Sequence, residues 1–153
     1  SYKRILKCYT DLTRKNDMKP QELSIGNFVC YNGKVVKVEQ ITKHKIGYHT
    51  KPNETRMNYA RLCEVEPIPI TEELLTKIGF ILPEHKEFYV MCRINGKDNS
   101  MRLTKYFNLW NAEIFASHPE VVMLEHTIKG LRFVHELQSA YYLVTGKELE
   151  IKI

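Results

Sequence analysis

The chain has 153 residues, of which 43% are hydrophobic and 27% are charged, with only seven Gly and six Pro. This length and composition exclude a collagen-like, fibrous or disordered chain and allow one domain, or two very small ones, to bury a core. The net charge of +5 is uneven, because residues 1–61 hold 13 Lys and Arg against 5 Asp and Glu, and residues 62–153 hold 10 against 13.

The chain begins with a basic segment, residues 1–21, that we expect to be an N-terminal arm. Its first part, SYKRILKCYTDLTRKND, lacks the continuous apolar stretch of a signal peptide. No run elsewhere approaches the ~18 apolar residues that a membrane-spanning helix needs. We therefore expect a cytoplasmic protein with no membrane partner.

The next segment has the pattern of a β-hairpin. Residues 22–31, ELSIGNFVCY, alternate as a strand does, and Asn32 and Gly33 supply the two positive-φ residues of a type I′ turn. Residues 34–41, KVVKVEQI, form a β-branched return strand. One face of this strand should be apolar and the other mostly charged.

A basic stretch follows the hairpin. Residues 42–53, TKHKIGYHTKPN, are predicted as a loop, and residues 54–66, ETRMNYARLCEVE, as a third strand that two prolines terminate. Thr71 has the hydroxyl of an N-cap before two acidic residues, and Gly79 follows the apolar stripe. The pattern therefore predicts a short helix over residues 71–79.

The second half contains another predicted hairpin and a long helix. Residues 87–94 and 100–107 read as strands around an Asn95–Gly96 turn, and strand-like runs follow them. Residues 130–145 have helical periodicity, Gly146 closes the helix, and the final ELEIKI is predicted to add an edge strand. The apolar face of this helix consists of Leu131, Phe133, Val134, Leu137, Ala140, Tyr141, Leu143 and Val144.

The cysteines Cys8, Cys30, Cys63 and Cys92 are widely spaced, without a CxxC pair or a zinc-module spacing. Most of them lie in apolar runs, where a reduced thiol packs as a small core residue. We expect buried reduced thiols, with disulfides and metal binding as the alternatives. Reduced thiols would agree with a cytosolic setting.

Three motifs carry a resemblance to a known family. ELSIGNFVCYNGKVVKVEQI, EPIPITEELLTKIGF and LRFVHELQSAYYLVTGKELEI resemble, in this order, short uncharacterised proteins common in Bacteroides genomes, phages and mobile elements. Those proteins run from ELRIGN through PIPLTEEWL.KFGF to YVHQLQNLYFALTGEEL, and the match spans residues 22–149. This chain has Leu74 where the family has Trp and Phe133 where it has Tyr. The resemblance implies a bacterial or phage cytoplasm and provides no catalytic residues.

The opening hairpin also resembles the first strands of small SH3-like barrels, some of which associate with ribosomes or nucleic acids. We therefore predict an α+β protein with an N-terminal SH3-like antiparallel unit at residues 22–70. Residues 71–153 should form a connecting helix and a second β-rich unit packed against a C-terminal helix. We expect the two units to pack as one globule.

The sequence favours a binding protein over an enzyme. The six histidines have neither an HExxH nor a facial-triad spacing, no Ser lies in a GxSxG elbow, and the phosphate-cradling glycine loops are absent. His135 lies on the C-terminal helix, where a hydrogen-bonded histidine is expected more often than a general base. We expect no catalytic residues, no metal ligands and no cofactor.

The binding hypothesis depends on cations interleaved with tyrosines in the first half, where phosphate contacts and base stacking could combine. The alternatives are a solvated surface, tyrosines that fill the barrel, and lysines that protect strand edges. A different class of partner, a host or phage protein, could dock on the second half or on an open strand edge. The candidate residues for DNA or RNA are Lys34, Lys37, Lys43, Lys45, Tyr48, Lys51, Arg56 and Arg61.

Overall fold

A computed structural model describes residues 18–94, 99–117 and 122–151. Most of the predicted N-terminal arm and the predicted Asn95–Gly96 turn lie outside these ranges. The chain divides into two compact units between Ile68 and Pro69. Each unit is antiparallel in its sheets, and together they give the predicted α+β class.

The first unit contains two three-stranded sheets with the orders β2-β1-β6 and β3-β4-β5. Short 3-10 helices, Pro20–Glu22 and Leu62–Glu64, precede the first and the last strand. The strands are β1 (Phe28–Tyr31), β2 (Lys34–Lys37), β3 (Gln40–Ile41), β4 (Lys45–Tyr48), β5 (Asn58–Arg61) and β6 (Val65–Glu66).

The Asn-Gly turn forms as the sequence predicts. Asn32 and Gly33 have φ values of 55° and 73°, the left-handed pair that a type I′ turn requires. The turn sets Val29 opposite Val36, and both side chains are buried. The alternating pattern of β1 and β2 therefore directs one face of the hairpin into the core.

The chain passes from the first sheet to the second between Val38 and Glu39. Val38 donates its amide hydrogen to the Asn27 carbonyl (2.8 Å), and its own carbonyl accepts from Gly26 (2.7 Å). The next amide, that of Glu39, donates to the Gly47 carbonyl in the second sheet (2.9 Å). After the β3-β4-β5 meander and a 3-10 helix, β6 returns to pair with β1. This strand order is that of an SH3-like barrel.

The strands of the first unit correct three predictions. The predicted loop at residues 42–53 is wrong, because four of its residues form the central strand β4. The predicted strand at residues 54–66 is broken by a 3-10 helix, and that at residues 22–31 is a strand only from Phe28. The period-2 signal was too short in β4 to outweigh its Gly and its flanking loop-forming residues.

One hydrophobic core fills the first unit, and both sheets contribute to it. Asn27 is a buried polar residue at its margin, where its Oδ1 accepts from the Ser24 amide at 2.8 Å. This bond closes a short turn before β1. The buried apolar members are Met18, Leu23, Val29, Val36, Val38, Ile46, Tyr48, Ala60, Leu62 and Val65.

The second unit has a four-stranded sheet of the order β10-β9-β8-β7 and two helices. Its helices are α1 (Glu72–Ile78) and α2 (Val134–Thr145), and the backbone of Pro69 bridges to Phe133 at the start of α2. The strands are β7 (Phe88–Cys92), β8 (Asn99–Tyr106), β9 (Leu109–Ser117) and β10 (Val122–Leu131).

The helix α1 follows its sequence signals closely. The Thr71 hydroxyl accepts from the Leu74 amide at 3.2 Å, and Gly79 ends the helix in the left-handed conformation at φ 113°. Leu75 and Ile78 are buried. The short helix is therefore fixed at both ends by the expected residues.

The helix α2 is shorter than predicted. It begins at Val134 rather than Gly130, because residues 130 and 131 still belong to β10. Its buried face includes Leu137 and Tyr141, whereas Leu143 is 80% exposed, so its assignment to that face is wrong. The predicted terminal strand is also absent over residues 148–151, the described part of that segment.

The cysteines differ from the expectation. Cys30 is free and half-buried, Cys92 is free but exposed, and Cys63 is disulfide-bonded. The prediction of a reduced thiol is therefore wrong for Cys63, and that of a buried one is wrong for Cys92. Within the described ranges, neither helix has the length and apolar character required to cross a bilayer.

Candidate nucleic-acid interface

The outer face of the sheet β3-β4-β5 carries three of the predicted cations. Side chains alternate along β4 and β5, so that Ile46 and Ala60 enter the core while Lys45, Tyr59 and Arg61 face outward. The same alternation keeps all three outward groups on one surface. We call this surface the basic face and define it as Lys43, Lys45, Tyr59 and Arg61.

Two cations of the basic face lie directly opposite each other. Lys45 on β4 pairs with Arg61 on β5 in the antiparallel register. The adjacent pair, His44 and Leu62, is hydrogen-bonded, since the Leu62 amide donates to the His44 carbonyl at 2.9 Å. Hydrogen-bonded and non-hydrogen-bonded pairs alternate, so Lys45 and Arg61 form a non-hydrogen-bonded pair, whose side chains are the closer kind.

Like charges at opposite positions destabilise a sheet, by roughly 0.2–1 kcal/mol relative to a neutral pair. Neither Lys45 nor Arg61 forms an ion pair with any residue that the structure describes. The sheet therefore holds two neighbouring positive charges that no described residue neutralises. An anion bound between them would turn an unfavourable arrangement into a favourable one.

An exposed aromatic ring lies beside these cations. The Tyr59 side chain is 47% exposed, and its hydroxyl donates to the Gln40 Oε1 across the sheet at 3.2 Å. The Lys45 ammonium lies over the ring, 4.1 Å from its centroid. The hydrogen bond and the cation–π contact fix the ring in one orientation.

A glycine in the central strand makes room for the Met57 side chain. Gly47 lies opposite Tyr59 on one side and Gln40 on the other. A Cβ at Gly47 would meet the Met57 Cγ and Sδ at 2.9 Å and the Gln40 Cβ at 3.0 Å. The Met57 side chain thus occupies the space that a side chain at position 47 would need.

The fourth member of the basic face comes from the β3–β4 turn. The Thr42 amide donates to the Lys45 carbonyl at 2.9 Å, and the Lys45 amide donates to the Thr42 hydroxyl at 3.2 Å. These bonds close a tight turn with Lys43 and His44 exposed at its tip. Lys43 is therefore presented at the end of the sheet where Lys45 and Arg61 lie.

The predicted role of Tyr48 is wrong. Its side chain is only 8% exposed and lies in the core, with its ring 5.8 Å from that of Tyr31. Burial, together with the nearby Tyr31 and Glu54, raises the pKa of Tyr48 above its ordinary value. A buried ring offers no face to a base, whereas the ring of Tyr59 on β5 is exposed.

Two further candidates lie in the connection between β4 and β5, at the opposite end of the sheet from Lys43. Lys51 and Arg56 are exposed there. The Glu54 carboxylate holds this connection together, because it accepts from the Thr50 hydroxyl at 2.7 Å and the Thr50 amide at 2.9 Å. These hydrogen bonds lower the pKa of Glu54 below its ordinary value.

The last two candidates belong to the other sheet. Lys34 pairs with Tyr31 at the end of the hairpin, and Lys37 pairs with Phe28. Both lysines are exposed on the edge strand β2. The eight predicted residues therefore divide among four places, Tyr48 being in the core, and only Lys43, Lys45 and Arg61 share the basic face.

The described histidines and acids form no metal centre. Within residues 18–94, 99–117 and 122–151, no group of three or more His, Cys, Asp or Glu is placed to hold a metal ion. His49 contacts the Glu39 carboxylate through its Nδ1, and the pair lies next to the β4–β5 connection. His135 is buried and stacks on Phe133, with ring centroids 5.8 Å apart.

No family model, no curated protein and no solved structure matches this chain.

The close approach at Gly47 can be tested by adding a methyl group. We expect Gly47→Ala to lower the free energy of unfolding by about 1–3 kcal/mol, because the new Cβ overlaps Met57 and Gln40. Urea unfolding followed by circular dichroism measures this loss. Shortening the neighbour with Met57→Ala should remove part of the penalty in the double variant. A Gly47→Ala protein as stable as the wild type would contradict the close packing.

The Glu54 hydrogen bonds predict a dependence of stability on pH. Because the folded-state pKa of Glu54 lies below its unfolded value, its contribution is present above the ordinary pKa of 4.5. The contribution is lost as the pH falls from there through the lowered folded-state pKa. Urea titrations across this range should show a shallower loss of stability in Glu54→Gln than in the wild type. Equal acid sensitivity would mean that these bonds do not stabilise the connection.

Proposed function

We propose that the protein is a non-catalytic nucleic-acid-binding module that contacts single strands through the basic face. The observation that supports this most directly is the Lys45–Arg61 couple, which has no ion-pair partner among the described residues and lies at a closely spaced cross-strand position. A phosphate group supplies the missing negative charge. Its binding releases the counterions of the nucleic acid, which is the main source of affinity in such complexes.

The exposed tyrosine favours a single strand over a duplex. A base can stack on Tyr59 only when it is not stacked between its neighbours in a double helix. The Lys45 ammonium lies 4.1 Å from the centre of this ring. A phosphate at Lys45 and a base at Tyr59 would thus belong to the same stretch of backbone.

The arrangement discriminates poorly among sequences. Stacking tolerates any base, and phosphate contacts carry no sequence information. The Gln40 side chain is the nearest polar group to the ring, but its Oε1 already accepts from the Tyr59 hydroxyl. We therefore propose binding with little sequence preference.

We also propose a bacterial or phage cytoplasm as the setting. This proposal rests on the resemblance of the three sequence motifs alone. Docking on another protein through the second unit remains the alternative, and the exposed apolar residues of β10 favour a protein contact there.

Fluorescence anisotropy with labelled single- and double-stranded DNA and RNA tests the proposal. We expect tighter binding of single strands, with log affinity falling against log salt by about 0.7 for each phosphate contacted. If nothing binds even at low salt, the positive charge of the first half is only a solvated surface and the proposal is contradicted. Preference for duplexes would contradict the role of Tyr59.

Paired charge variants test where the nucleic acid binds. The double variant Lys45→Gln with Arg61→Gln should lose two phosphate contacts, and thus about 1.4 from the salt slope. The matched control, Lys51→Gln with Arg56→Gln, removes the same charge from the β4–β5 connection and should change the slope far less. Equal losses in the two proteins would point to a diffuse electrostatic attraction.

The tyrosine is tested separately. Tyr59→Ala should weaken binding by about 1–3 kcal/mol because the stacking surface is lost, whereas Tyr59→Phe keeps the ring.

Arg61→Gln should raise the free energy of unfolding slightly, by a few tenths of a kcal/mol, since it relieves the repulsion from Lys45. Weaker binding in a more stable protein would distinguish a functional cation from a structural one.

A further inference from the structure

The strand β10 forms an open edge of the second sheet. It pairs with β9 on one side, and no described strand pairs with its other side. Exposed strand edges of this kind are templates for pairing with another chain. The other edge of the same sheet is different, because Ile81 exchanges two backbone hydrogen bonds with Val90 of β7.

The first three residues of β10 carry no charge that would protect its edge. Val122, Met123 and Leu124 are 53%, 53% and 51% exposed, although consecutive residues of a strand point to opposite faces. Apolar groups are thus exposed on both faces. In contrast, the edge strand β2 of the first unit carries Lys34 and Lys37, which discourage pairing.

The backbone direction along β10 follows from the neighbouring strands. Phe107 and Asn108 form a two-residue turn, so Tyr106 and Leu109 are a hydrogen-bonded pair. Alternation along β9 then directs the amide and carbonyl groups of Ala112 and Ile114 toward β10. Their partners there are Ile128 and His126.

Thr127 lies between these two partners, so its own amide and carbonyl point away from the sheet. The stretch from His126 to Ile128 is the regular part of β10, since the register shifts on both sides of it. Thr127 is therefore the residue at which another strand would find a donor and an acceptor in regular geometry.

We propose that β10 pairs antiparallel with β10 of a second copy of this chain, with Thr127 opposite itself on the twofold axis. An interface of this type is isologous and joins two four-stranded sheets into one of eight strands. In this register the Thr127 amide of each copy donates to the Thr127 carbonyl of the other. It also covers part of the exposed apolar segment at the start of β10.

Charge complementarity selects this register and favours a second copy as the occupant. With Thr127 opposite itself, Glu125 of each copy lies opposite Lys129 of the other, which gives two attractive pairs. A register shift of two residues in either direction sets Glu125 or Lys129 opposite Thr127. Neither charge then has an opposite charge across the interface. In the described residues, neither Glu125 nor Lys129 has an ion-pair partner within the chain.

Sedimentation velocity over a wide range of protein concentration tests the proposal. We expect a reversible monomer–dimer equilibrium in the wild type. Glu125→Lys places lysines opposite each other, and Lys129→Glu places glutamates opposite each other, so each change should raise the dimer dissociation constant about tenfold or more. An equimolar mixture of the two variants restores both attractive pairs and should dimerise again.

A separate variant tests the backbone hydrogen bonds at Thr127. Thr127→Pro removes the outward amide hydrogen, which β9 does not use, and should abolish the dimer, whereas Thr127→Ala should retain it. Circular dichroism establishes that each variant is folded. The proposal is overturned if the wild type stays monomeric at every concentration, if the mixture associates no better than its components, or if the edge binds an extended peptide as a monomer.

Discussion

The first unit depends on a single step in the chain, the passage from one sheet to the other between Val38 and Glu39. Both hydrogen bonds of Val38 belong to the first sheet, and the amide of Glu39 belongs to the second. Val38 is fully buried, so burial of its side chain fixes the position of the bend. The β3-β4-β5 meander, and with it the basic face, starts from this point.

The basic face includes a structural compromise. A sheet gains nothing from Lys45 opposite Arg61, and a glycine in the central strand adds no packing of its own. The glycine instead makes space for the Met57 side chain, and the like-charged pair keeps two cations beside the exposed Tyr59. Local choices that conflict with stability but agree with one another are expected at binding sites. We therefore regard this surface, rather than the total charge, as the feature that supports nucleic-acid binding.

The sequence predicted the parts of the fold that have strong local signals. The Asn32–Gly33 turn, the Thr71 cap and the Gly79 terminus each have one favoured conformation, and the structure confirms all three. The strand β4 was missed because four residues containing a Gly show no reliable period. The same error hid the direct pairing of the candidates Lys45 and Arg61, since the two residues become neighbours only when β4 pairs with β5. Similarly, the side of the sheet on which Tyr48 lies could not be predicted without that register.

The central claim is that nucleic acid contacts the outer face of β3-β4-β5. The most direct measurement is a titration of isotopically labelled protein with a short single-stranded oligonucleotide, followed by amide chemical shifts. Our account predicts that the largest changes fall on Lys43, Lys45, Gly47, Tyr59 and Arg61 and decrease at higher salt. Changes concentrated on β2 or on the second unit, or no changes at low salt, would contradict it.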